Sequence, residues 1–174
     1  MTDWFMLTLV GRDAPGIVAA VSKTLYERDC NIGEATMTRL GGNFSMMLMV
    51  KSPHPLNELE RLLAIAVQPW NLMVHLDAID ADLHRHIEPD VRISIYGADR
   101  AGIVATATGA LAKAGLNILN LETDVGGTEE QPIFIMHIEG VAEQGLPPLE
   151  EACTQLARAQ QVETHLSPID TLMG

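Results

Sequence analysis

Two short stretches of the sequence combine glycine, an acidic residue and the start of an apolar run. Residues 11–18 read Gly-Arg-Asp-Ala-Pro-Gly-Ile-Val, and residues 97–104 read Gly-Ala-Asp-Arg-Ala-Gly-Ile-Val. A glycine-containing loop that runs into a helix leaves several backbone N–H groups without intrahelical partners, and these groups favour an anion or a carboxylate. Both stretches are therefore candidate binding loops for a small charged molecule.

Each loop comes with a set of candidate ligand-binding residues. The glycines would let a ligand approach the backbone, the aspartate would orient the loop or accept from an α-amino group, and an asparagine at the next strand start could donate and accept. The first set is Gly11, Asp13, Gly16, Ile17 and Asn31. The second set is Gly97, Asp99, Arg100, Gly102, Ile103 and Asn117. The alternative is structural: the aspartates cap helices, the glycines permit tight turns, and the asparagines complete turns.

The two loops belong to an internal repeat. The second lies 97 - 11 = 86 residues after the first, and at the same offset Leu25 falls on Leu111. Further along, His75 recurs as His165, at an offset of 90. The second copy has therefore gained four residues, and we expect part of the gain in a longer turn at residues 126–130. A repeat of this length indicates a duplicated folding unit.

Hydrophobic periodicity predicts the same element order in both copies. In the first copy we expect strands at 4–10, 31–40, 44–50 and 72–79 and helices at 15–29 and 56–67. In the second copy we expect strands from 91, at 118–125, at 133–139 and from 162, and helices at 101–114 and 148–159. Two right-handed crossovers in the order βαββαβ give a four-stranded antiparallel sheet with both helices on one face. The sequence thus predicts an α+β protein of two ferredoxin-like domains, 1–80 and 91–174, joined by a polar linker at 81–90.

The strands of the first copy are apolar at nearly every position. Residues 4–7 and 44–50 do not alternate between apolar and polar side chains, which is typical of strands that are buried on both sides. The methionines at 46, 47 and 49 therefore favour a buried central strand over an adaptable binding surface. We interpret His75 and His165 as packing residues, because a repeat preserves packing positions as well as functional ones. We expect the two units to bury sheet surface or edges together, and a homodimer would do the same.

Composition excludes several classes of protein. The 174 residues carry a formal net charge of -12, which repels phosphate backbones and anionic lipids, so we expect neither direct nucleic-acid binding nor membrane binding. An aromatic content of 4% also opposes an RNA-binding module of this topology. No signal peptide or membrane-spanning run is evident, and Cys30 and Cys153 lack disulfide or zinc spacing. We expect a cytoplasmic protein with two buried thiols.

The residues favour neither a metal site nor an enzyme. His84 and His86, with Asp80 and Asp82, could be imagined around a metal, but so polar a segment is usually a solvated linker, and we predict no metal and no cofactor. An acylphosphatase-like enzyme shares the element order and would hold phosphate with an arginine in the first loop. The candidates for it are Arg12 and Arg100, yet the repeat places Ala98 and Ala14 opposite them. We therefore predict a protein that is not an enzyme and keep acylphosphatase as the alternative.

The loops resemble those of the ACT domain, a ligand-binding regulatory module whose first loop typically reads Asp-Arg-Pro-Gly followed by apolar residues. The first copy has alanine at position 14, where arginine is usual, and the second has alanine at position 101, where proline is usual. Two such units without a catalytic domain resemble the glycine cleavage system transcriptional repressor family. This resemblance implies a regulator that binds an amino acid such as glycine and contacts a transcription factor. Another tandem ACT amino-acid sensor is the alternative.

Overall fold

The computed structural model describes residues 3–80 and 87–169, and the chain divides into two compact units between residues 85 and 86. The division falls inside the predicted linker, most of which lies outside the described residues. The domain bounds 1–80 and 91–174 therefore stay predictions. Within the described ranges, no helix has both the length and the apolar character needed to cross a membrane.

Both units have the element order βαββαβ. The first unit contains β1 (Asp3–Arg12), α1 (Ile17–Tyr26), β2 (Asn31–Leu40), β3 (Asn43–Ser52), α2 (Leu56–Val67), a 3-10 turn (Gln68–Trp70) and β4 (Met73–Ile79). The second contains β5 (Val91–Ala98), α3 (Ile103–Lys113), β6 (Leu116–Thr128), β7 (Gln131–Ala142), α4 (Leu146–Gln160) and β8 (Glu163–Pro168). The antiparallel sheets have the strand orders β2-β3-β1-β4 and β6-β7-β5-β8. The predicted ferredoxin-like α+β fold is confirmed.

In each unit, one face of the sheet forms a core with both helices. Along β1, the buried residues Phe5, Leu7 and Leu9 alternate with more exposed neighbours, so every second side chain points toward the helices. The helices of the first unit contribute stripes of residues four apart, namely Ile17, Val21 and Leu25 from α1 and Leu59, Leu63 and Val67 from α2. The second unit repeats this arrangement, with Ile93 and Ile95 of β5 in its core.

The four extra residues of the second unit lengthen two strands and leave the turn unchanged. Phe44 and Phe134 hold equivalent positions in the two hairpins. Between this phenylalanine and the turn, the first hairpin has one further residue pair and the second has three. Each hairpin then closes with two residues, 41–42 and 129–130. The strands β6 and β7 thus gain two residues each, which accounts for the change of offset from 86 to 90. The predicted longer turn is wrong, because Gly126 and Gly127 take part in strand pairing.

The methionines of β3 occupy three different environments. Met46 belongs to the core on the helix side, as predicted. Met49 lies on the opposite face, opposite Met6, and is only 6% exposed. Met47 lies on that same face, opposite Thr8, and is 41% exposed. The prediction of a strand buried on both sides is therefore right for Met49 and wrong for Met47.

The two recurring histidines lie outside both cores. His75 pairs with Thr8 and His165 with Ser94, so each lies on the sheet face away from the helices, where it is exposed. The imidazole Nε2 of His75 is 2.9 Å from the carboxylate of Asp77. The interpretation of these histidines as packing residues is wrong, because both side chains lie at equivalent positions on a sheet face where they are exposed.

Substitutions on α1 should separate core packing from helix propensity. Leu25 is fully buried, whereas Val18 on the same helix is 41% exposed. We expect Leu25→Ala to lower the free energy of unfolding of the first unit by about 2–5 kcal/mol, because it leaves a cavity. The matched control Val18→Ala should change it by less than about 0.5 kcal/mol. Denaturant unfolding followed by circular dichroism measures both, and equal losses would contradict this packing.

Both cysteines are free and buried, as predicted. Burial raises the pKa of the Cys153 thiol above its ordinary value of 9.0, and the carboxylate of Glu150 raises it further. The folded protein therefore holds the thiol proton more tightly than the unfolded chain does. Its contribution to stability is complete below the ordinary pKa and is lost as the pH rises above it.

A Cys30→Ser variant isolates the reactivity of Cys153. At mildly alkaline pH, we expect its remaining thiol to react with an aromatic disulfide reagent at least about 100-fold more slowly in the native protein than in concentrated urea, because little thiolate forms. Stopped-flow absorbance measures both rates. Similar rates in the two conditions would show that the thiol is accessible in the folded protein.

A candidate ligand site at the second strand-to-helix bend

Glycine begins the first helix of each unit. The N-cap residues Gly16 and Gly102 have left-handed backbone conformations, with φ of 93° and 87°, and no side chain caps either helix. This backbone favours glycine because a Cβ would be strained there. The aspartates therefore do not cap, contrary to the alternative interpretation of Asp13 and Asp99. The first backbone N–H groups of each helix have no intrahelical acceptor.

The protein's own side chains fill the first bend. The guanidinium Nε of Arg39 lies 2.6 Å from the Asp13 carboxylate, and the Asp13 N–H donates to the carbonyl of Gly42 at 3.1 Å. The indole of Trp70 packs beside Gly16, where an added Cβ would lie 3.4 Å from its Cζ2 atom. The carboxylate and the backbone N–H of Asp13, which would receive a ligand here, already have partners.

The second bend is open by comparison. At the equivalent positions, Val125 replaces Arg39 and Gln160 replaces Trp70. A Cβ added at Gly102 would meet nothing within 4 Å. In the part of the chain that the structure describes, the carboxylate of Asp99 has no ion-pair or hydrogen-bond partner.

A cleft of about 750 Å³ lies beside Asp99. It is lined by Tyr96, Gly97, Ala98, Asp99, Glu130, Gln131, Pro132, Ile133 and Glu163. Three of these side chains are carboxylates, and none is a lysine or an arginine. Carboxylates at one wall of a cleft favour a ligand with a positive charge and hydrogen-bond donors. The cleft is therefore suited to an ammonium group.

Among the predicted residues, Gly97 and Asp99 line this cleft together. Gly97 also lacks a side chain for a packing reason, because an added Cβ would lie 2.7 Å from Val162 Cγ1, and Leu72 approaches Gly11 in the same way. Arg100 lies in the same bend but does not line the cleft, and its Nη2 donates to the carbonyl of Gln160 at 2.8 Å.

Gly102, Ile17 and Ile103 could contribute to a ligand site through the backbone alone. Gly102 has no side chain, and the two isoleucine side chains are buried in the cores. Gly102 and Ile103 lie in the bend at the start of α3, but neither lines the cleft.

The two asparagines lie far from the bends of their own units. Asn117 pairs with Val141, next to the pair Val91–Gly140 at the start of β5. Gly97 lies near the other end of β5, roughly 20 Å away at about 3.3 Å per residue. Asn31 holds the equivalent place in the first unit. Grouping each asparagine with its own bend within one unit is wrong, because the intervening helix returns the chain to the opposite end of the sheet.

The sequence prediction missed Tyr96, Glu130, Gln131 and Glu163. Glu130 and Gln131 belong to the hairpin that the second unit lengthens, and Glu163 begins β8. The available signals were the change of repeat offset and the acidic second half of the chain, since residues 87–174 carry 4 Lys+Arg and 13 Asp+Glu against 7 and 10 in residues 1–86. Within the described residues, no three acidic, histidine or cysteine side chains could hold a metal ion. Asp82, His84 and His86 lie outside those residues.

The comparisons with known proteins agree on one family. Residues 3–75 and residues 91–154 each match a family model of the ACT domain. The glycine cleavage system transcriptional repressor of Escherichia coli strain K12 is 22% identical over 137 residues, which cover 78% of this chain and 72% of the relative. The UPF0237 protein YjhC of Lactococcus lactis is 45% identical over 47 residues, which cover 27% of this chain and 54% of the relative. The chain thus spans about half the length of that shorter relative.

Two solved structures share the fold over almost the whole chain. A Galdieria sulphuraria protein superposes with a TM-score of 0.80 at 24% identity, covering 98% of this chain and 100% of that one. A candidate glycine cleavage system transcriptional repressor superposes with a TM-score of 0.75 at 22% identity, covering 98% and 99%. At these identities, the likeness shows the fold. The two family matches, which together cover most of the chain, show that it belongs to the ACT-domain family and carries two ACT domains in tandem.

Proposed function

We propose that the protein is a non-enzymatic regulator that binds an amino acid in the cleft beside Asp99 and thereby changes its contact with a transcription factor. The observation that carries this proposal is the difference between the two bends. The first is filled by Arg39 and Trp70, whereas in the second, among the described residues, the Asp99 carboxylate has no partner and the space beside Gly102 is open. We infer that only one of the two bends binds a ligand.

The chemistry of the second bend suits the two ends of an amino acid. Asp99, Glu130 and Glu163 would accept hydrogen bonds from an α-ammonium group. The Ile103 N–H already donates to the Arg100 carbonyl, and the next N–H groups of α3 would suit an α-carboxylate that reaches past the cleft. A cleft of about 750 Å³ is much larger than glycine, so amino acids with longer side chains also fit. Glycine is the first ligand to test because of the E. coli relative's name.

Contact with a protein, and not with DNA, is the proposed means of regulation. The net charge of -12 opposes direct binding to a phosphate backbone. The name of the E. coli relative connects a chain of this family to transcriptional repression. A protein partner would reconcile these two observations, and regulation of transcription in this way implies a cytoplasmic protein.

Exposed strand edges offer a surface for a homodimer. The edge strand β2 is exposed at all ten of its residues, among them Ile32, Met37 and Leu40. Unpaired edges with apolar side chains readily pair with another strand. We therefore include a homodimer in the proposal.

The geometry of the second bend gives little support to the acylphosphatase alternative. Arg100, the candidate phosphate-binding residue of the second loop, donates to the Gln160 carbonyl, and the neighbouring cleft is lined by carboxylates. A phosphate group would be repelled there.

The amino-acid site can be tested by titration with a panel of amino acids, glycine included. We expect Asp99→Asn to weaken binding by about tenfold, the loss of one charge-assisted hydrogen bond. Asp13→Asn is the matched control at the filled bend and should leave the affinity unchanged. Isothermal titration calorimetry and thermal shift measure both. The proposal fails if no amino acid releases heat or shifts melting at millimolar concentration.

Stoichiometry tests the difference between the bends. Because the first bend is filled by Arg39 and Trp70, only one of the two bends should bind an amino acid, and that ligand should be lost from Asp99→Asn. Native mass spectrometry of the wild type, Asp99→Asn and Asp13→Asn counts the bound ligands directly. A ligand that is lost from Asp13→Asn would contradict the closed first bend.

A further inference from the structure

The sheet faces that point away from the helices differ sharply between the two units. At equivalent positions, the first unit has Met6, Met47 and Met49, whereas the second has Arg92, His137 and Glu139. Both units have the same topology, so the fold itself does not require polar residues at these places. This polar set therefore calls for an explanation other than folding.

The polar side chains surround a cavity of about 380 Å³ on three adjacent strands. It is lined by Arg92, Ser94, Asn120, Glu122, His137 and Glu139. None of these residues lines the cleft beside Asp99, although Tyr96, which lines that cleft, packs against His137 of this cavity.

Four side chains at this cavity are held in place by contacts with one another or with a neighbouring ring. Ser94 is only 7% exposed, and its Oγ lies 2.9 Å from Nδ1 of His137. The ring of Tyr96 meets the same imidazole edge-on, with centroids 6.0 Å apart. Arg92 donates from Nε and Nη2 to Oε1 of Glu139 at 2.8 Å and 2.6 Å. A site held in this way needs little rearrangement on binding.

The remaining groups at the cavity are chiefly hydrogen-bond acceptors. Across residues 3–80 and 87–169, neither the Glu122 carboxylate nor the Asn120 amide has a partner, and Arg92 bonds only one oxygen of Glu139. Because Arg92 balances the charge of Glu139, the charge of Glu122 is left without a counter-charge in this cavity. An ammonium group could donate to Glu122, to the Asn120 oxygen and to the second oxygen of Glu139.

We propose that this cavity is a second binding site, specific for a small primary ammonium compound. The Glu122 carboxylate binds the ammonium group, and the remaining N–H groups of Arg92 donate to an acceptor elsewhere on the ligand. The site shares no lining residue with the amino-acid cleft, and it stands or falls without the proposed function.

Ethanolamine is a suitable probe because it carries both an ammonium group and a hydroxyl acceptor. We expect Glu122→Gln to weaken its binding at least about tenfold, since a charge-assisted hydrogen bond becomes a neutral one. Asp124→Asn is the matched control, because Asp124 lies on the same strand and the same face, two residues away, but does not line the cavity. It should leave the affinity within about twofold. Asp99→Asn should also bind ethanolamine normally.

Calorimetry gives the affinities, and amide chemical shifts of the wild-type chain locate the probe without any substitution. The expected shifts are centred on Ser94, Asn120 and Glu122. Tetramethylammonium has the same charge but no N–H donor, and it should not bind. The proposal is overturned if Glu122→Gln binds ethanolamine as wild type does, if tetramethylammonium binds equally, or if the shifts centre on Asp99.

Discussion

Each unit depends on the packing of two helices against one face of a four-stranded sheet. The helix stripes place an apolar residue at every fourth position, and the central strands supply one at every second position. Both sets of apolar residues are buried at once only when the helix stripes face the apolar side of the sheet. The same packing determines where each connection lies, because a helix that lies antiparallel to its preceding strand must start at one end of the sheet and finish at the other. The bends at Gly16 and Gly102 are thereby placed at the end opposite the asparagines.

Duplication has kept this packing and changed the chemistry around it. The first unit has an ion pair and an indole at its bend and methionines on its open sheet face. The second has an unpaired carboxylate at its bend and a polar open face. Since the cores are equivalent, these differences cost the scaffold little. One copy can serve chiefly as a structural unit while the other carries binding groups.

Periodicity and turn residues predicted most of the fold. The limits of α2, 56–67, agree with the structure because Pro55 and a regular leucine pattern mark them. The candidate site was less accessible to such arguments. Gly97 and Asp99 were found because the repeat marks the loop. Glu130 comes from a hairpin turn and Glu163 from a strand, both distant in sequence from the loop, and only the sheet brings them near it. Filling of the first bend by Trp70 could not be predicted either, since that residue follows a helix more than fifty positions later.

The lengthened β6–β7 hairpin gives this architecture a simple means of diversification. Two additional residues on each arm carry the tip outward by roughly 7 Å without a change in register or core. Glu130 and Gln131 thereby form one wall of the cleft beside Asp99. Insertions in multiples of one residue pair would reshape that wall while every buried side chain stayed in place. Ligand preference in such modules can therefore diverge through arm length alone, independently of the stability of the fold.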